Sequence, residues 1–322
     1  MILVRYREKM KKTVMKIHTI LAAIAMTASL FCAQAQDKPS SAEFLERYNK
    51  LVSKLGAAGV GVETVIQKWE AAYPDDIDML TAKFSYYFTK SQDRSVQVMD
   101  ADKYLGEKPA LSLTDSLGKK VNYFQVTNYD DELFANATSA IDKAIGLERN
   151  RLDLRFMKTA ALLAYEKDSP DMTLSDLKAL VDYNGHTHPQ WSYPDFIADE
   201  DFFKAAVQEY CYSFFRIGAP QSFEAFRQLS EKMLEYWPND TLFLTNLGSY
   251  YLVCKKDNKS ALKYYNKVLK LSPNDYTAAK NCVLMARAEK DVKLEKKYLP
   301  ILIRATEDEA ERLSAEARLK SL

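Results

Sequence analysis

Glycine and proline are scarce in this 322-residue sequence, which contains only 9 Gly and 10 Pro. This scarcity argues against folds made of many short strands, because the turns between strands need such residues. The sequence is rich in apolar residues, at 47% of the total, and in tyrosine, with 20. We therefore expect a folded protein built mainly from long helices.

The sequence also lacks the motifs of common enzyme classes. It has no Walker A loop, no G-x-S-x-G elbow, no H-E-x-x-H helix and no C-x-x-C pair. Residues 56–61, Gly-Ala-Ala-Gly-Val-Gly, resemble a phosphate-binding loop only superficially, since they lack its lysine and helical patterns flank them. We predict a turn between helices there, and a protein that is not an enzyme and needs no cofactor.

Histidine is the third scarce residue, with 3 in the chain, two of them at His186 and His188. Two imidazoles this close can share a metal ion, with Asp182, Asp199 or Glu200 as an oxygen ligand. A metal-dependent hydrolase is therefore one alternative. No third ligand follows at a fixed spacing, so we expect no metal.

Residues 1–35 have the pattern of a secretory signal peptide. Three lysines precede an apolar run at residues 20–31, and an Ala-Gln-Ala site ends at Ala35. The run is shorter than the ~20 residues that a membrane-spanning helix needs, and no later run approaches that length. We predict cleavage after Ala35 and a periplasmic or secreted location, with Met15 as an alternative start to Met1.

The four cysteines bear on export. Cys32 raises the alternative of an outer-membrane lipoprotein, which Phe31 disfavours because lipidation normally requires a small preceding residue. The three remaining cysteines are an odd number and cannot all pair in an oxidising compartment. We expect Cys211, Cys254 and Cys282 to be buried and unpaired, with a bridge between the last two as the alternative.

The predicted mature chain is mildly acidic. Removing the signal peptide takes away six basic residues and one acidic residue, so the formal net charge falls from +1 to −4. Proteins that bind nucleic acids normally carry a basic surface. We therefore do not expect nucleic acid as a partner.

An internal repeat is the clearest feature of the mature chain. Residues 237–240 read Trp-Pro-Asn-Asp and residues 272–275 read Ser-Pro-Asn-Asp, so the two prolines lie 35 positions apart. This interval is close to the ~34 residues of a repeat made of two helices. Proline followed by Asn-Asp ends one helix and caps the next, because the aspartate accepts from free N–H groups.

Between the two markers, apolar and small residues recur at helical spacing on both sides of a polar turn at residues 255–258. They are Leu244, Leu247, Gly248, Tyr251, Ala261, Tyr265 and Val268, followed by Pro273. This set resembles the signature of tetratricopeptide repeats (TPR), with one extra residue in the turn. The resemblance implies that Gly248 lies where the two helices touch.

Fainter units lie upstream. Residues 74–87 share the spacing of residues 238–251, and a third possible unit runs from Ala137 to Leu163. Strand-forming residues on both sides of a Ser-Leu-Gly-Lys turn predict a β-hairpin at residues 109–127. Residues 183–198 contain Asn, Gly, His and Pro and predict an ordered loop.

The chain as a whole resembles exported tetratricopeptide proteins of Gram-negative bacteria. The fold class that we expect is all-α, a right-handed helix-hairpin solenoid with a small β-hairpin insertion. The predicted divisions are the signal peptide at 1–35, an irregular helical repeat region at 36–222, and TPR-like repeats with a C-terminal capping helix at 223–322.

The resemblance implies a non-catalytic scaffold that binds a protein or peptide of the cell envelope in a concave groove. Family positions that face the groove fall here on Thr245, Asn246, Ser249, Thr277, Lys280, Asn281 and Arg287. Lys280 and Arg287 would hold a carboxylate. The family's carboxylate clamp is incomplete, because Thr245 and Ser249 stand where a lysine and an asparagine are expected. A glycan-binding envelope protein is the other alternative, and nothing in the sequence indicates the oligomeric state.

Overall fold

The computed structural model describes residues 38–322. The predicted signal peptide and Cys32 lie outside these residues. None of the described helices is both long and apolar enough to cross a membrane. The chain divides into two compact units, Met1–Ala82 and Lys83–Leu322. The predicted boundary after residue 222 falls within a helix of the second unit.

The described part of the first unit is a helical hairpin followed by the start of a third helix. Its elements are α1 (Ser41–Leu55), α2 (Val62–Ala72) and the first turns of α3 (Ile77–Lys90). The glycine-rich segment 56–61 is the turn between α1 and α2, as predicted. Trp69 of α2 stacks on Phe44 of α1 with ring centroids 6.2 Å apart, and its indole N–H donates to Ser41 at 2.8 Å.

The second unit begins with the end of α3 and an antiparallel three-stranded sheet. Its strands are β1 (Gln92–Met99), β2 (Leu111–Thr114) and β3 (Lys120–Tyr129), in the order β1-β3-β2. The β2–β3 pair is the predicted hairpin. Strand β1 was not predicted from the sequence. Val96 and Val98 alternate with Ser95 and Gln97, but this alternation is short, and in the structure the two valines face solvent.

Ten α-helices, one π-helical turn and one short hairpin follow in the described chain. The first group is α4 (Asp131–Leu147), α5 (Leu152–Glu166), α6 (Asp171–Thr187), β4 (Trp191–Tyr193), β5 (Phe196–Ala198), α7 (Glu200–Ile217) and α8 (Pro220–Tyr236). The second group is α9 (Thr241–Ser249), a π-helical turn (Tyr250–Lys255), α10 (Asn258–Leu271), α11 (Tyr276–Ala288), α12 (Val292–Ala305) and α13 (Glu309–Ser321).

These helices stack in the order of the chain. From α7 to α13 each helix packs against the next one, and α4, α5 and α6 do the same. Helices two positions apart also pack, as α6 does with α8 and α9 with both α7 and α11. Contacts of this kind define a helical solenoid, in which each hairpin buries its apolar face against its neighbours. The predicted all-α solenoid with a small β insertion is confirmed.

The repeated motif forms the same turn at three places. The backbone N–H of Asp76, of Asp240 and of Asp275 donates to the carbonyl three residues earlier, at 3.3, 3.0 and 3.0 Å. Each aspartate then caps the following helix, accepting from a backbone N–H at 2.8 to 3.0 Å. A side chain that accepts from these free groups stabilises the start of a helix, so the local sequence explains the repeat.

Glycine marks close contacts between helices. A Cβ at Gly248 would lie 2.5 Å from Cε1 of Tyr265 on α10, as expected for a small residue between two helices. A Cβ at Gly185 would lie 2.2 Å from Tyr236 on α8. Gly185 therefore allows α8 to approach α6. Because α6 continues to Thr187, the predicted loop at residues 183–198 is wrong for its first part. The β4–β5 hairpin lies in the rest of that segment.

The expectation for the cysteines is met in part. Cys211 and Cys282 are buried and free, whereas Cys254 is free but only partly buried. Burial raises the pKa of the Cys211 thiol and of the Cys282 thiol to about 12. Both thiols therefore stay protonated at neutral pH and behave as small apolar groups.

Candidate functional site

The candidate functional site is a cavity of about 350 Å³ on the side of the second unit formed by α7, α9 and α11. We call it the α9 cavity. Its wall consists of Gln208, Tyr212 and Phe215 from α7, Phe226 from α8, Asn246 and Ser249 from α9, Leu252 and Val253 from the π-helical turn, Tyr265 from α10 and Asn281 from α11. Because these residues span more than 70 positions in sequence, only the packing of several helices brings them together.

The contribution of α7 follows from helical spacing. Gln208, Tyr212 and Phe215 are separated by four and then three residues, which places them on one face of the helix. The Phe215 ring packs against Phe226 with centroids 5.1 Å apart, while 56% of Tyr212 is exposed. This face therefore offers an apolar surface that is open to solvent.

The cavity has a polar floor that is already hydrogen bonded. The Asn246 amide donates to the Gln208 side-chain oxygen at 2.7 Å and to Ser230 at 3.2 Å, and the Gln208 amide donates back to Asn246 at 3.1 Å. Asn246 is buried. Both of its N–H donors are used within the protein, so it supports Gln208 and has no donor left for a ligand.

A second polar pair lies at Tyr265. Its hydroxyl is 3.2 Å from the Ser249 hydroxyl. Burial raises the pKa of the Tyr265 hydroxyl to about 12, so the group keeps its proton at neutral pH. Hydroxyls of this kind both donate and accept, which suits recognition of a peptide group.

The π-helical turn shapes the opening of the cavity. The repeat is one residue longer than usual, and we assigned the extra residue to the polar turn. The structure instead winds Tyr250–Lys255 more widely, and the N–H of Asp257 reaches the carbonyl of Tyr251 at 2.9 Å. A π-helical turn absorbs one extra residue and is frequent at functional sites. Here it places Leu252 and Val253 in the wall, with 50% of Val253 exposed.

The predicted groove residues separate into two groups. Asn246, Ser249 and Asn281 line the α9 cavity. Thr245 is buried and Thr277 is exposed, and neither belongs to its wall.

The two predicted cationic residues are already paired within the chain. Lys280 lies 3.2 Å from Glu311 of α13 and donates to the Tyr276 hydroxyl at 2.6 Å. Arg287 donates to Glu295 of α12 at 2.7 Å. A carboxylate of a partner would therefore have to replace one that the chain supplies.

Glu295 is the centre of this ionic cluster. Only 2% of the residue is exposed, and its carboxylate accepts from Arg287 and from both Nε and Nη2 of Arg318, at 3.0 and 2.9 Å. The arginines, Arg318 first, lower the pKa of Glu295 to about 2. Because Arg318 belongs to α13, the cluster joins α11, α12 and α13.

His186 of the histidine segment forms its contacts within the protein. Nδ1 of His186 lies 2.7 Å from the carbonyl oxygen of Asp182, one helical turn earlier. The Asp182 carboxylate accepts from the Tyr236 hydroxyl at 2.7 Å and from Lys232 at 3.1 Å. Residues 38–322 contain no group of three His, Cys, Asp or Glu side chains placed to hold a metal ion.

The residues that α7 contributes to the wall, Gln208, Tyr212 and Phe215, were not predicted from the sequence. The available signal was Tyr212, an aromatic residue at helical spacing from the other two. Tyr212 becomes part of a wall only because α9 packs beside α7 in the folded chain.

No family model and no curated protein matches the sequence. Among solved structures, PilF of Pseudomonas aeruginosa matches at 11% identity and a TM-score of 0.28, covering 87% of this chain and 83% of PilF. The TPR2AB domain of yeast Sti1, in complex with pHSP90, matches at 12% identity and a TM-score of 0.26, covering 87% and 95%. Neither structure superposes closely on this chain.

Proposed function

We propose that this chain is a non-catalytic scaffold that binds an extended segment of a partner protein across the face formed by α7, α9 and α11. One apolar side chain of the segment would enter the α9 cavity. The observation that supports this proposal is the combination of open apolar walls, at Tyr212 and Val253, with a floor of prearranged polar groups. Binding sites for peptides and small ligands commonly combine these two features.

The proposed site differs from a groove that binds its partner through basic residues. Lys280 and Arg287 are neutralised by Glu311 and Glu295, so they attract an acidic segment weakly unless it displaces those carboxylates. The α9 cavity needs no such displacement. We therefore expect the anchoring residue of the partner to be apolar or aromatic. Export and a location in the cell envelope remain part of this proposal.

The test begins with capture of the partner from the cell envelope by the full chain, followed by binding of synthetic peptides that tile the captured protein. Val253→Arg places a charge at the opening of the α9 cavity. Because half of Val253 is exposed, little effect on stability is expected. Leu284→Arg on α11 is a matched control, since Leu284 is also 50% exposed and does not line the cavity.

Fluorescence anisotropy would measure peptide affinity. We expect Val253→Arg to weaken binding by about tenfold or more, because a desolvated charge would replace an apolar contact. Leu284→Arg should leave the affinity unchanged. Equal affinity for both variants would contradict the proposed site, and an envelope oligosaccharide that binds in place of any peptide would favour the glycan-binding alternative.

A further inference from the structure

Strand β3 extends well beyond its neighbour β2. The β2–β3 ladder ends at the pair Leu111–Tyr123, whereas β1 pairs with β3 as far as Tyr129. Within residues 38–322, positions 124–129 of β3 therefore have a partner strand on one side only. The other side is an open edge, of the kind that accepts an additional strand.

The hydrogen bonds of the sheet identify which groups the open edge presents. In an antiparallel ladder, the backbone groups of successive residues point to opposite sides. The carbonyl of Tyr123 accepts from Ala110 at 2.8 Å on the β2 side, and Asp130 donates to Ser91 at 2.8 Å on the β1 side. Gln125 and Thr127 therefore direct their N–H and C=O groups to the open side, where no backbone group of the described chain bonds to them.

A cavity of about 350 Å³ runs along this edge. Gln125, Thr127 and Tyr129 line it from β3, and Ala164 and Lys167 line it from the end of α5. The cavity is a separate site, because it shares no residue with the α9 cavity.

The chemistry of the cavity is aromatic and cationic. The rings of Tyr104 and Phe124 pack edge to face with centroids 6.0 Å apart. Lys108 and Lys167 are the cationic residues in its wall, and the acidic residue there, Glu107, is paired with Arg216. The net local charge therefore favours an anionic ligand.

We propose that this edge is a second binding site, which takes up an extended acidic segment of a partner protein as a strand antiparallel to β3. The added strand would lie in line with β2, with its C-terminal end toward Lys108 and its N-terminal end toward Lys167. Its backbone would bond to Gln125 and Thr127, and its acidic groups would meet the two lysines. A second copy of this chain is a poor occupant, because symmetric pairing of the edge would bring the lysines of both copies together.

The test uses the full chain and a yeast-displayed library of random ten-residue peptides as the probe. Gln125→Pro removes one N–H from the open side and leaves the β1 ladder intact, and proline is tolerated at such edge positions. Gln125→Ala is the matched control, since it keeps the N–H and removes only the side chain. Circular dichroism would verify that both variants are folded.

We expect selection to enrich peptides that contain Asp or Glu together with strand-forming residues. Gln125→Pro should weaken their binding by about tenfold relative to Gln125→Ala, while Val253→Arg should leave it unchanged. N-methylation of a peptide should abolish its binding to the wild-type chain when the methyl group is placed on every second residue, and should have no effect at the residues between. This result does not depend on any variant of the chain. Added salt should weaken binding as well.

Three outcomes would overturn the proposal. One is enrichment of the same peptides on Gln125→Pro as on the wild-type chain. Another is binding that is insensitive to N-methylation, and the third is a wild-type dimer that Gln125→Pro converts to a monomer. If the selected peptides lost binding only to the Val253→Arg variant, the result would support the α9 cavity and contradict the edge site. The two proposals can therefore fail separately.

Discussion

Replacing Gly248 by alanine tests the closest contact in the clearest repeat. The added Cβ would lie 2.5, 2.8 and 2.9 Å from three carbon atoms of the Tyr265 ring. Carbon atoms in contact are normally about 3.5–4.0 Å apart, so the ring would have to move by about 1 Å. Tyr265 is fully buried and its hydroxyl is bonded to Ser249, which leaves it little freedom to move.

Two effects of opposite sign set the change in unfolding free energy for Gly248→Ala. Overpacking a buried contact costs about 1–3 kcal/mol of unfolding free energy. Alanine in place of glycine within a helix contributes about 0.5–1 kcal/mol in the other direction. We therefore expect Gly248→Ala to destabilise the protein by about 0–2.5 kcal/mol, and the bulkier Gly248→Leu to reach or exceed the upper end of that range.

Gly146 near the end of α4 supplies the control, because a Cβ there would have no neighbouring atom within 4 Å. Gly146→Ala should be stabilising or neutral, so the two alanine variants should differ by about 1–3 kcal/mol. Urea denaturation followed by circular dichroism measures this difference when the slopes agree. If Gly248→Ala raised the midpoint as much as Gly146→Ala, the assigned register of α9 against α10 would be refuted.

Two further predictions concern ionisable groups. The depressed pKa of Glu295, about 2 against an ordinary value of 4.5, means that its ion pairs contribute stability above pH 4.5 and lose it as the pH falls toward 2. The difference in stability between the wild type and Glu295→Gln should therefore shrink between pH 5 and pH 2, as measured by urea denaturation, and a constant difference would exclude the ionic cluster as its cause. Cys254 is only partly buried and burial raises its pKa to about 11, less than for Cys211 and Cys282. A thiol reagent at pH 8 should modify Cys254 first and the other two only on unfolding, and equal rates would contradict their burial.

Local features of this protein were predictable from the sequence. The caps at Asp240 and Asp275 act within three residues, so the Pro-Asn-Asp motif specifies them without tertiary contacts. The helical stripe through Leu244, Leu247 and Gly248 predicted a helix pair in the same way. The β2–β3 hairpin was predictable too, because its short turn sets the register.

Features that depend on distant residues were not predictable. Strand β1 carries its apolar residues on the exposed face, so its identity depends on β3, more than twenty residues away. Gly185 looked like part of a loop because the sequence does not show that Tyr236 packs against it. The carboxylates that neutralise Lys280 and Arg287 lie on helices that the periodicity alone could not place in contact.

The sequence by itself determined that this protein is a stack of helix hairpins, because apolar spacing and helix capping operate over a few residues. Only the tertiary structure decided which surface is available for binding. The α9 cavity exists because α7 packs beside α9 and because an extra residue is wound into a π-helical turn. The open edge of β3 exists because β2 begins only at Leu111, opposite Tyr123. Both depend on where separate segments meet, which the local pattern of residues does not specify.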